Sequence, residues 1–180
     1  MKRDKDHILI EWLVLGAQLG DVDAMSQLAK LMYPKLLRFA GRQLQNDDMA
    51  KEVVQNTMEI VVRDLSRIKD PATFPKWVYQ VLYRKGVDYI RHNQRQRKLF
   101  RDIGAQKNDT LGSNGEERHF IHFDDFLSRL SFDLYQVIHL HYVEDLNLNE
   151  IADVLKLPQG TVKSRLFNAR KQLKIYIEGE

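Results

Sequence analysis

Apolar residues recur along most of the chain at spacings of three and four, the signature of amphipathic helices. Leu28, Leu31, Met32, Leu36 and Phe39 make one such stripe. Asn46-Asp47-Asp48 then offers a helix start, because acids in a first turn suit the helix dipole. From Met49 to Leu65, a broad apolar face is built by Val53, Val54, Met58, Val61, Val62 and Leu65. Asp70-Pro71 breaks this run, since the residue before proline is pushed out of helical geometry. A further helix opens at Phe74-Pro75-Lys76-Trp77, with proline tolerated in the first turn. Its stripe is Trp77, Val81, Leu82, Val87 and Ile90, and it runs out into Arg91–Lys98. Near the start, Ile8–Gly16 is apolar but interrupted by Glu11, which predicts an amphipathic helix rather than a signal peptide. No stretch approaches the ~18–20 apolar residues of a membrane span.

The last third repeats the helical pattern. Phe126, Leu127, Leu130, Leu134, Val137 and Ile138 line one or two helices. Asn147 or Asn149 is placed to cap a short helix carrying Leu148, Ile151, Ala152 and Leu155. A tight turn follows at Lys156–Gly160, and a final helix carries Val162, Leu166, Ala169 and Leu173. Between the two helical regions, Asp102–Asp124 holds Gly104, Gly112 and Gly115 and a net charge of −3. This predicts a flexible acidic linker; an ordered surface loop of over twenty residues is the disfavoured alternative. The fold expected is all-α, two small helical domains at 1–98 and 124–180 joined by a linker at 99–123.

Composition sharpens this picture by exclusion. With no cysteine, disulfides, thiol catalysis and Cys-ligated zinc are removed, and a reducing cytoplasm fits. The net charge of +3 hides a division. Segment 81–101 carries seven Lys and Arg against Asp88 alone, which is +6, and segment 156–174 carries six cations and no acid, also +6. The other 140 residues then carry −9. Two basic patches on an acidic chain point to a polyanion partner.

The C-terminal patch sits on a short helix, a turn and a second helix that is polar and basic outside, the pattern of a helix-turn-helix. Gln159, Thr161, Lys163, Ser164 and Arg165 are best placed for base edges, and Asn168, Arg170, Lys171 and Lys174 for phosphates. A solvated amphipathic helix is the plainer reading, but the absence of acids from 156 to 174 favours DNA. The other patch mixes Phe74, Trp77, Tyr79, Tyr83 and Tyr89 with Arg84, Lys85 and Arg91. Aromatics beside cations suit unstacked bases on a single strand, although many of these rings could equally be core.

Taken together, the two ends resemble a bacterial RNA polymerase sigma factor of the extracytoplasmic-function group, in the sigma-70 family. The resemblance rests on Phe74-Pro75-Lys76-Trp77-Val78-Tyr79-Gln80-Val81 with Asp88-Tyr89-Ile90-Arg91, on Tyr142–Ala152, and on Pro158–Leu166 with Ala169-Arg170. It covers about 20–98 and 124–175. The resemblance implies a sigma2-like helical bundle and a sigma4-like helix-turn-helix that bind core RNA polymerase and promoter DNA. The clamp of the polymerase would meet Asp48, Glu52, Gln55, Asn56 and Glu59. Melted −10 DNA would meet Phe74, Trp77, Tyr79, Arg84, Lys85 and Arg91, with the loop Arg67–Phe74 capturing a flipped base. The duplex −35 element would meet Gln159, Thr161, Lys163, Ser164, Arg165, Asn168, Arg170 and Lys171.

Two departures from the family pattern stand out. Lys51 occupies a place where an acid is usual, and Asn56 stands for a glutamate, which thins the charge of the clamp-binding helix. Phosphorylation of Thr57 would restore about −1.5 to −2 charges there. Control by a Ser/Thr kinase at Thr57 and control by an anti-sigma protein are both open. The second departure is Arg84, where asparagine is common in the family. Among rival functions, a polymerase-independent helix-turn-helix regulator is the alternative. The pairs His119/His122 and His139/His141 suggest a metal only weakly, and His139 and His141 fit a partly exposed helix face. No cofactor, no metal, no membrane association and no enzymatic activity are expected.

Overall fold

The computed structural model describes residues 5–102, 127 and 129–178 of the chain. Helix α1 spans Lys5–Gln18, α2 Val22–Leu44, α3 Asp47–Asp64 and α4 Phe74–Asp102. Two 3-10 turns, Leu65–Arg67 and Pro71–Thr73, connect α3 to α4. In the C-terminal part, α5 spans Phe132–Ile138 and runs into a π-turn at His139–Val143; α6 spans Leu148–Leu155 and α7 Gln159–Glu178. There is no strand among the described residues.

Local chemistry explains most boundaries. Gly20 takes φ of +89°, a conformation open to glycine, where α1 stops. Asp21 then caps α2, accepting from the backbone N–H groups of Asp23 and Ala24. Asn46 caps α3 by accepting from Met49 N–H. Asp70 accepts from Ala72 N–H and so fixes the turn that Pro71 opens. Asn147 and Glu150 form a reciprocal capping box at α6, which ends on Lys156 in the left-handed conformation. Pro158 accepts from Thr161 N–H at the entrance of α7.

Helix α4 differs from expectation at its far end. It continues to Asp102, past the expected domain boundary at 98, because nothing between Arg91 and Asp102 breaks a helix and the first glycine is Gly104. The rest of the expected linker, 103–123, lies outside the described residues.

The larger surprise is the relation of the two units. They are not merely tethered: the second packs on the first through a shared core. Phe39 of α2 has its ring centroid 5.8 Å from Phe132, 6.2 Å from Tyr135 and 5.4 Å from His139. Arg42 donates to the carbonyls of Leu130 at 2.7 Å and Leu127 at 3.3 Å, and lies over the Tyr135 ring. Helix α6 packs on α4, and Lys76 pairs with Asp153 at 2.6 Å across that seam. The Lys76 ammonium holds the Asp153 carboxyl below its ordinary range.

Candidate nucleic-acid and polymerase interfaces

Helix α7 presents the first surface. Val162, Leu166 and Ala169 are buried against the helices beneath. That leaves Gln159, Lys163, Ser164, Asn168, Arg170 and Lys171 exposed, with Thr161 half-buried at the entrance. Two expected DNA contacts have partners within the protein. Arg165 is half-buried and its guanidinium donates to Asp133 at 2.9 Å, while Arg170 lies 5.5 Å from the centre of the Tyr142 ring. Phe167, absent from the predicted set, is 68% exposed between Lys163, Ser164 and Lys171. An apolar side chain on a face otherwise built for phosphates and bases suits a thymine methyl group. The signal was in the sequence: Phe167 falls outside the Val162–Leu166–Ala169–Leu173 stripe.

The second surface is a cleft of about 630 Å³ between α3, the 3-10 turns and α4. Trp77, Ile60, Ile68 and Val81 supply its apolar walls. Arg63, Arg67, Lys69, Arg84 and Lys85 stand around it against two carboxylates, Asp64 and Asp88. Asp64 organises part of the rim: it accepts from Arg63 at 2.8 Å and pairs with Arg67 at 3.2 Å. The Arg63 hydrogen bond holds the Asp64 carboxyl below its ordinary range. An indole wall with cations on the rim suits a base and its flanking phosphates. Gln18 donates to the carbonyls of Leu65 and Ile68, which ties α1 to the loop that forms one side.

The predicted −10 residues divide here. Trp77, Arg84 and Lys85 line the cleft, and Arg91 is exposed further along α4. Phe74 and Tyr79 do not reach solvent. Phe74 packs beside Trp77 in the core, and Tyr79 turns toward the C-terminal unit. The helical period decides this: Tyr79 is two residues from Trp77, about 200° around the helix.

The third surface is on α3. Asp48, Glu52, Gln55, Asn56 and Glu59 are all exposed and share one side, with Val62 62% exposed at its end. Lys51 sits 3.7 Å from Asp48 and offsets its charge. Thr57 lies on the opposite side. Its side chain is fully buried, and its hydroxyl donates to Val53 O at 2.8 Å. The hydroxyl weighed above for phosphorylation is therefore closed to solvent in this packing and does not share the exposed side of Asp48, Glu52, Gln55, Asn56 and Glu59. His139 is corrected too: it is buried, not partly exposed. His141 donates to the carbonyl of Leu146. The pair His119/His122 lies outside the described residues, among which no group of metal-ligating side chains occurs. None of the described helices is long and apolar enough to cross a membrane.

A basic helix-turn-helix and an aromatic, cation-rimmed cleft on one helical chain define a DNA-binding transcription protein. Comparison with known proteins narrows the class. Residues 28–96 match sigma-70 region 2, and residues 126–174 match sigma-70 region 4. The chain is 30% identical to the RNA polymerase sigma factor SigV of Bacillus subtilis, over 79% of this chain and 84% of that one. It is 25% identical to the ECF RNA polymerase sigma-E factor of Haemophilus influenzae, over 92% and 94%. Among solved structures, CnrH in complex with the cytosolic domain of CnrY superposes with a TM-score of 0.58 at 21% identity, covering 96% of this chain and 99% of that one. RpoE of Bartonella quintana, in complex with the anti-sigma factor NepR, gives 0.60 at 22%, covering 87% and 98%. The chain belongs to the sigma-70 family, in its extracytoplasmic-function group, and so acts in promoter-directed initiation by RNA polymerase.

Proposed function

We propose that the chain docks on the clamp of core RNA polymerase through the exposed side of α3, captures melted −10 DNA at the Trp77 cleft, and reads duplex −35 DNA with α7. The observation that carries this reading is the Trp77 cleft. It joins an aromatic wall to five cations at the base of the helix that also bears Arg91. A duplex-only regulator has no use for such a feature, because bases must be unstacked to enter it. Helix α7 supplies phosphate and base contacts of another kind, through Lys163, Ser164, Asn168 and Lys171.

Regulation by an anti-sigma protein is favoured over phosphorylation of Thr57. The burial of Thr57 supports this order, since a kinase would need α3 to open first. Transcription reconstituted with core polymerase on a promoter library tests the whole reading. Specific transcripts that depend on the added chain are the expected outcome. DNA binding without any transcript, and without co-elution of polymerase, would instead favour a polymerase-independent regulator.

A further inference from the structure

Helix α1 is apolar on two opposite sides, and only one of them is covered within the chain. Ile10, Leu13 and Val14 are buried, with Ala17 half-buried behind them. About 180° around the helix, Ile8, Trp12, Leu15 and Leu19 form a second stripe that is exposed along its whole length. Trp12 is 71% exposed and Leu19 is 89% exposed. Leu19 stays in line with α1 because its N–H donates to Leu15 O. Leu9 and Val22 extend the exposed patch at its margins. A helix with apolar residues all round is ordinarily an interior helix. None of these six residues belongs to the α7 face, the Trp77 cleft or the α3 face.

The patch has the extent of an interface. Its six side chains expose on the order of 700 Å², above the roughly 300–600 Å² of the largest patch on a typical monomer and close to the ~800 Å² per partner of a standard complex.

Spacing points to the occupant. The stripe advances by four, three and four residues, the a/d spacing of paired helices. Those steps read the same in both directions. A second copy laid antiparallel, with a twofold axis level with the midpoint of positions 13 and 14, therefore sets Ile8 against Leu19 of the other copy. Trp12 then meets Leu15 of the other copy, and no member of the stripe is left over. Charge selects the same orientation. Residues 2–6 hold three cations and two acids, whereas the corner between α1 and α2 carries Asp21 and Asp23. Antiparallel pairing brings these ends of opposite sign together, and parallel pairing sets acid against acid. Glu11, Asp21 and Asp23 also disfavour an anionic lipid surface as the cover. We infer that the exposed side of α1 is the interface of a twofold-symmetric, antiparallel homodimer.

Sedimentation of the full chain from about 1 to 100 μM tests this. A monomer–dimer equilibrium with a dissociation constant of about 10 μM or tighter is expected. Trp12→Glu should be monomeric throughout that range, with helicity and the thermal midpoint of dilute protein unchanged. A wild-type chain still monomeric at the highest concentration, or a Trp12→Glu dimer as tight as wild type, would overturn the inference. A second set of variants reads the register. Ile8→Glu and Leu19→Lys should each weaken dimerisation about tenfold, and the double variant should recover at least about fivefold over either. Within one chain these positions are roughly 16 Å apart along the helix, so the two charges meet only across the interface. A double variant no tighter than the single ones would overturn the antiparallel pairing. A monomeric chain that instead floats with phosphatidylcholine vesicles would assign the stripe to a membrane surface and overturn the dimer.

Discussion

At the scale of the residue, two buried polar groups carry predictions of opposite kinds. Thr57→Glu puts a carboxylate in a fully buried site beside the Val53 carbonyl, an acceptor that cannot partner it. It should lower stability by about 3 kcal/mol or more, read by thermal denaturation, and should not strengthen polymerase binding. Tighter binding by this variant would revive the phosphorylation switch. His139 is pushed down to about 3, by burial first and by the nearby Arg38 and Lys35 cations second. Its contribution to stability is therefore complete above its ordinary value near 6.5 and is lost as pH falls toward 3. Glu144 acts in the opposite sense, because burial raises its pKa. Comparing wild type with His139→Gln separates the two. The stability gap between them should shrink by roughly 2 kcal/mol from pH 7 to pH 5; a gap independent of pH would show that His139 is not held neutral. These roles were the least legible part of the sequence. Tyr79 reads as one more aromatic in a basic helix, and its partners at 139 and 144 are 60 and 65 positions away.

At the scale of the element, the sequence was far more informative. Apolar spacing placed α2, α3, α4, α6 and α7, and Asn46 and Asn147 cap the helices they were expected to start. Solvent exposure then follows from the same period, which is why the five α3 residues are all exposed while Phe74 and Tyr79 are buried. Spacing alone did not reveal which aromatic on α4 faces the cleft, because the helix buries two sides: one toward α2 and α3, the other toward the C-terminal unit. On α3, Lys51 opposes the acids around it. If the face meets a basic clamp, Lys51→Glu should tighten polymerase binding roughly fivefold, measured by competition at moderate salt. Unchanged affinity would place the clamp contact elsewhere.

At the scale of the whole molecule, charge segregation pointed to two basic regions, and they differ in shape: an exposed basic helix, α7, and a cleft that Arg84 and Lys85 help to line. What the sequence did not disclose is that the two units share a core. Their contacts join Phe39 to Phe132, Arg42 to Leu130 and Lys76 to Asp153, and no local pattern links positions so far apart. The most direct test of the central claim separates the two DNA-facing regions on one promoter. Duplex binding and strand opening, the latter followed by a fluorescent base in the −10 element, are measured with reconstituted polymerase for Arg84→Ala and Lys163→Ala. Lys163→Ala should weaken duplex binding and lower the salt slope by about 1. Arg84→Ala should leave duplex binding nearly unchanged and slow opening roughly tenfold. Parallel loss of both activities in both variants would contradict the assignment of melted DNA to the Trp77 cleft and duplex DNA to α7.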